Sequence, residues 1–135
     1  MRVHGRCHCG EIAYEADVDP ERTGICHCTD CQMMSGSAYR ASVMAERESF
    51  SLTRGQPKIY VKTAESGKRR AQAFCGNCGS PVYSTDAADP AVYVLRVGCL
   101  DQRAELAPKR QIWCGSAVPW SSHLGDLPKF DAQPS

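Results

Sequence analysis

Cys75-Gly76-Asn77-Cys78-Gly79-Ser80-Pro81-Val82-Tyr83-Ser84-Thr85 sets two thiols three positions apart, follows them with a glycine, and runs on into β-branched and aromatic residues. Two intervening residues let both sulfurs converge on one ion, and a glycine after the second cysteine tolerates the tight turn this needs. A Cys-x-x-Cys pair also serves disulfide exchange, but in the thioredoxin-like arrangement a helix starts at the motif. Here Ser80–Thr85 reads as a strand. The pair therefore predicts a metal knuckle leading into a β-strand.

The strand signal recurs along the chain. Ile12–Val18, Ser37–Ala45, Lys58–Thr63, Arg69–Phe74, Pro81–Thr85 and Ala91–Val97 are β-type runs between Gly, Pro and Asp punctuation. Lys58–Phe74 reads as a hairpin turning at Glu65-Ser66-Gly67-Lys68, and Asp89-Pro90 marks a further turn. A single turn or two of helix is expected at Thr29–Met34, with Thr29 or Asp30 as N-cap and Gly36 as its stop. At 135 residues the chain supports one sizeable core, so the expectation is an all-β single domain over residues 1–135. After Pro119 the tail, about residues 120–135, is polar and proline-spaced. It would be ordered by docking Leu127 or Phe130 onto the body.

Sixteen Lys and Arg against fifteen Asp and Glu leave a formal charge of +1, with no long run of one sign. This argues against a duplex-binding surface or a polybasic membrane anchor. Residues 1–11 have no apolar stretch behind their arginines, and nothing approaches the roughly 20 apolar residues of a membrane span. The expectation is a cytoplasmic protein with neither nucleic-acid nor membrane partners. In a reducing compartment, nine cysteines point to metal or redox chemistry before disulfides.

Seven of the nine fall into three groups: Cys7/Cys9, Cys26/Cys28/Cys31 and Cys75/Cys78. Cys7-His8-Cys9-Gly10 also ends in glycine, and in an extended segment residues i and i+2 face one side, so Cys7 and Cys9 converge while His8 points away. Two glycine-ended pairs make a closed four-cysteine site, which is structural because four thiolates leave no position for substrate. The triplet Cys26-His27-Cys28-Thr29-Asp30-Cys31 offers three ligands and an open position, the catalytic form of zinc coordination. His27 is turned from the metal by the same alternation and reads as a packing or supporting residue. Spacing alone also allows Cys7/Cys9 to close with two of the triplet, or Cys99 or Cys114 to complete the triplet and make both sites structural. A thiol redox protein, its clusters cycling as disulfides, is a further reading.

Taken in order, Cys7–Ala16, Cys26–Tyr39, Phe74–Tyr83, Ile112–Trp120 and Asp126–Phe130 resemble the glutathione-dependent formaldehyde-activating enzymes, modules of which also occur in centromere protein V. The resemblance implies a zinc-pinned β-tent, similar to the fold of the small zinc chaperones of Rab GTPases. It implies two Zn²⁺ ions per chain: a structural one on Cys7, Cys9, Cys75 and Cys78, and a catalytic one on Cys26, Cys28 and Cys31. It further implies a carbon–sulfur lyase that adds glutathione to formaldehyde, or to a related small carbonyl, giving S-hydroxymethylglutathione. The alternative is a noncatalytic zinc-binding module or a glutathione carrier. Departures lie outside the cysteines: Leu100–Leu106 lacks the paired acidic residues expected after Gly-x-Leu-Asp, and Gln111 replaces a histidine often found before the isoleucine.

Glutathione carries two carboxylates and one ammonium, so its site should include a cation or backbone donors. Ser35, Gly36, Ser37 and Arg40, which follow the triplet, are the candidate thiol-substrate contacts. Lys68-Arg69-Arg70 is a further cationic candidate against the simpler reading of a solvated turn. Met33 and Met34 are candidates to line a pocket, and Trp113 and Trp120 read as core or tail anchors.

Overall fold

Along Ala13–Cys26, apolar and polar residues alternate, so Tyr14, Ala16 and Val18 turn inward at 5% exposure or less. In the computed structural model, which describes residues 1–134, this segment is a single 14-residue strand. Its partners are all antiparallel but one. β1 (Arg2–Arg6) and β2 (Ala13–Cys26) pair along the first half of β2. The second half pairs with β3 (Arg40–Glu46), after α-helix α1 (Thr29–Ser35) has turned the chain. β4 (Ser51–Arg54) returns to the first half of β2. Next come β5 (Lys58–Thr63), β6 (Arg69–Phe74), β7 (Pro81–Asp86) and β8 (Val92–Arg96), and the sheet runs β1-β2-β3-β8-β7-β6-β5. β9 (Arg110–Ile112) lies parallel to the end of β2, with Cys26 opposite Ile112.

A bulge lets β2 serve two sets of partners. Val18 faces Ala45 and Thr23 faces Val43, so Asp19–Arg22 on the β2 side span what Met44 alone spans on β3. Pro20 sits in that bulge, where the ladder needs no N–H from it, and its carbonyl accepts the Thr23 hydroxyl at 2.8 Å. The ladder then defines two faces. On one, Val43, Leu95, Tyr83 and Ala73 lie side by side across β3, β8, β7 and β6. They join Val3, Ile12, Tyr14, Leu100 and Leu106 in the core, with Phe50 stacked on Tyr93 at 4.4 Å. The other face, carrying Cys26, Arg40, Ser42, Arg96, Gln72 and Ser84, is polar.

The all-β expectation holds, and the Lys58–Phe74 hairpin turns where expected. Several local expectations are corrected. Helix α1 forms where it was expected, but its N-cap is Cys28, not Thr29 or Asp30, because the Cys28 sulfur accepts the Cys31 amide. Asp30 forms an ion pair with Lys62 instead. Gly36 ends the helix as anticipated. Cys7 and Cys9 converge through a turn, with the Gly10 amide on the Cys7 carbonyl at 3.2 Å, rather than along an extended strand. Ahead of the tail the Ser116 carbonyl accepts a hydrogen bond from Gln32 of α1, but in the tail Leu127 and Phe130 are 59% and 65% exposed rather than docked. Among the described residues, no helix is long and apolar enough to cross a membrane.

Candidate metal centre

Two turns of the same design face each other at the end of the core. In each, a glycine in the left-handed region, Gly10 at φ 83° and Gly79 at φ 79°, donates its amide to the carbonyl of the first cysteine of its pair. These turns bring the sulfurs of Cys7, Cys9, Cys75 and Cys78 together. Sγ of Cys9 lies 3.6 Å from that of Cys7 and 3.7 Å from that of Cys75. A tetrahedral zinc with bonds of about 2.3 Å separates its sulfurs by about 3.8 Å, so the spacing fits. Backbone amides of Ile12, Asn77 and Cys78 donate to the sulfurs of Cys7 and Cys75, and the Ser80 hydroxyl lies 3.3 Å from Sγ of Cys78. The Ser80 contacts lead in pushing the Cys78 thiol down to about 5. The cluster is a donor set suited to a soft divalent cation.

The second cluster joins the end of β2 to α1. Cys26 is the last residue of β2, Cys28 caps the helix, and Cys31 lies in its first turn with its amide 3.3 Å from the Cys28 sulfur. All three sulfurs lie within 4.8 Å of one another. Their proton affinities diverge. Burial, and then the crowding of its two neighbours, pushes the Cys26 thiol up to about 12. Burial acts the same way on Cys28, but the Cys31 amide, the adjacent thiols and the Lys62 ammonium outweigh it and hold Cys28 below the ordinary thiol range. Three thiolates this close require a cation, and the cluster can hold one. His27 is 3% exposed and is not among these ligands. Its Nε2 meets Oε1 of Gln111 at 2.7 Å and its ring packs edge-on against Tyr39. The glutamine at the position where a histidine was the familiar residue thus anchors the segment between two cysteines.

Cys26 and Cys31 stand on the wall of a cavity of about 350 Å³ on the polar face of the sheet. Each strand contributes alternate residues: Arg40, Ser42 and Met44 from β3, Arg70 and Gln72 from β6, Val94 and Arg96 from β8. Arg22, Lys62 and Arg110 complete the cations, and among the described residues no Asp or Glu lines the cavity. Arg22 is paired with Glu46 and Lys62 with Asp30, both carboxylates lying outside the lining. Arg96 is 5% exposed. Its Nη1 donates to Ser42 and its Nη2 to Gln72, each at 3.0 Å. Burial, then the charge of Arg40, pushes its guanidinium down to about 9, which still leaves it charged at neutral pH. Arg40, Gln72 and Arg96 also border a second cavity of about 330 Å³ beside Met34, Tyr60 and Phe74.

The structure separates the expected substrate contacts. Arg40 reaches the cavity, and so does Arg70 from the Lys68–Arg70 group, while Arg69 is exposed. Ser35 donates within the helix end, to the carbonyls of Gln32 and Tyr39. Gly36 and Ser37 line a different groove with Met33 and Trp120 on the outer side of α1. Arg22, Lys62, Arg96 and Arg110 were not anticipated; each sits two residues from another lining residue of its own strand or strand end.

The family model described as glutathione-dependent formaldehyde-activating enzyme matches residues 2–116. The chain belongs to that family. Its antiparallel β-sheet with paired cysteine clusters is a fold of the formaldehyde-activating type. A crystal structure of a Rhodobacter sphaeroides protein is similar at a TM-score of 0.62 and 19% identity, covering 80% of this chain and 98% of that one, and shares the fold. Comparison with curated proteins gives no match. The family is one of enzymes for glutathione-dependent activation of formaldehyde, and the matched segment includes both cysteine clusters and every residue lining the cavity.

Proposed function

We propose that this member of the family is a zinc-dependent carbon–sulfur lyase that adds a thiol, glutathione first, to formaldehyde or a related small carbonyl, giving S-hydroxymethylglutathione. One observation carries the reading: the triplet is a donor short of a tetrahedral set, and Cys26 and Cys31 face the cavity. In this reading Cys7, Cys9, Cys75 and Cys78 hold a structural Zn²⁺, and Cys26, Cys28 and Cys31 hold a catalytic one, two ions per chain. An ion held by Cys26, Cys28 and Cys31 would supply Lewis acidity, which favours the deprotonated form of a thiol near neutral pH. The chain's own residues do the rest. α1 fixes Cys28 and Cys31 relative to each other through the cap, and Gln111 holds His27 so that Cys26 and Cys28 stay on one side. Arg40 orients the substrate from across the ladder, where it is the direct partner of Cys26. Overall, one carbon–sulfur bond forms and one proton passes from the thiol sulfur to the carbonyl oxygen.

Seven free thiols of this kind require a reducing compartment, so the same reading makes the protein cytoplasmic, acting as one domain over residues 1–135 with small-molecule partners. Native mass spectra with and without glutathione, followed by turnover of glutathione with formaldehyde, test the proposal. Expected are two zinc ions, a glutathione response at one of them, an accelerated addition, and loss of both responses in Cys28→Ser. Two ions indifferent to glutathione would leave a noncatalytic zinc-binding module. Binding without acceleration would leave a glutathione carrier.

A further inference from the structure

The cavity wall carries more positive charge than its surroundings answer. Arg40, Arg70 and Arg96 form no ion pair with a carboxylate among the described residues. Two of them also have a buried Nε with no hydrogen-bond partner, in Arg40 and in Arg96. Buried donors are almost always satisfied, so two orphaned guanidinium donors bordering one cavity mark the place of missing acceptors. Water could satisfy the donors but not the charge. Nor does the metal centre balance it, since a divalent ion on three thiolates carries one negative charge and leaves two of the three guanidinium charges unmatched. What remains is an anion with several acceptor lone pairs, the group that arginine forks match.

We propose that Arg40, Arg70 and Arg96, with Ser42 and Gln72 holding Arg96, form an oxyanion subsite, and that the thiol substrate presents a carboxylate, sulfonate or phosphate to it rather than an ammonium. The inference rests on the proposed function for the identity of the reacting group as a thiol, but not for the subsite itself. An ammonium at this end would meet cations and no carboxylate. For glutathione, a carboxylate end must enter and the amino group must stay clear of the wall. The class extends to simple mercaptocarboxylates and mercaptosulfonates and excludes aminothiols.

The test uses inorganic sulfate as probe, on zinc-loaded full-length protein at constant ionic strength. Wild type should gain Tm saturably with sulfate, and Arg70→Gln and Arg40→Gln should each lose that saturable part. Arg69→Gln, exposed and off the cavity, should keep it. Arg70 and Arg40 are only partly buried, so their variants test the site even if Arg96→Gln fails to fold. The same non-saturable rise in all variants would be general salting and would overturn the proposal. In a second arm, 3-mercaptopropionate and 2-mercaptoethanesulfonate should bind about tenfold or more tightly than cysteamine and 2-mercaptoethanol, with the preference lost in Arg70→Gln. Equal binding of cysteamine would overturn it. Sulfate needs neither thiol nor carbonyl, so the subsite can fail while glutathione turnover stands, and the reverse.

Discussion

A serine at position 28 would still accept the Cys31 amide, because a hydroxyl is among the best N-cap acceptors, but it is a poor zinc ligand. Alanine would lose both functions. Cys28→Ser and Cys28→Ala should therefore release the same single ion in native mass spectra, while urea unfolding finds the alanine form less stable by about 1 kcal/mol. Equal stabilities would mean that the sulfur does not cap. Tyr14 offers a second case. Its ring is 1% exposed in the core, yet its hydroxyl has no hydrogen-bond partner. Tyr14→Phe removes a buried polar group without opening a hole, and should leave stability unchanged or raise it by about 1 kcal/mol in urea unfolding. A loss of more than that would reveal an ordered partner.

Tyr14 also explains how β1 lies on β2. A Cβ on Gly5 would come within 2.2 Å of the Tyr14 ring, whose residue is the direct ladder partner of Gly5. Gly5→Ala must push the strand or the ring aside and should cost about 1–3 kcal/mol, read as a lower urea midpoint with unchanged slope. A near-neutral result would mean that β1 can lift off freely. β1 is also one of the elements that local sequence conceals. Arg2–Arg6 alternates, but its outward Arg2, His4 and Arg6 and its inward Gly5 look like a loop, whereas Lys58–Thr63 and Val92–Arg96 announce themselves by β-branched and aromatic density. β9 is hidden for a related reason, since three exposed residues become a strand only against the end of β2. The seven clustered cysteines were legible because metal ligands are few and their spacing is local. Of the cavity cations, Arg40 and Arg70 were legible as candidates, but Arg22, Lys62, Arg96 and Arg110 were not: a strand arginine reads as solvent-facing until register makes Cys26 and Arg40, Ser42 and Arg96, and Gln72 and Ser84 neighbours. Alternation carries the missing signal, but choosing its inward face requires the whole sheet.

Across the molecule the two cysteine clusters bear unequally on the fold. The four-cysteine set ties the turn after β1 to the turn between β6 and β7, whereas the triplet bridges only the end of β2 and α1. On the proposed two-zinc reading, chelator titration should therefore remove zinc in two phases. The first ion, open to attack, leaves with little change in far-UV circular dichroism, and loss of the second coincides with unfolding. Release of both ions in one step with the collapse of the sheet would show that the clusters are not independent. The long tie also has a history within each newly made chain. Cys9 and Cys75 are 66 residues apart, so at 5–20 residues per second the second half of the tie leaves the ribosome roughly 3–13 s after the first. From the emergence of Cys31, about a third of the way through that interval, the nascent chain offers Cys7, Cys9, Cys26, Cys28 and Cys31 and no native four-sulfur set. On the proposed two-ion reading, an ion captured then sits on the triplet or on a mixed set of these five sulfurs, and a mixed set has to be re-sorted when Cys75 and Cys78 arrive. In that reading, correct metallation is a matter of the timing of synthesis as much as of final affinity.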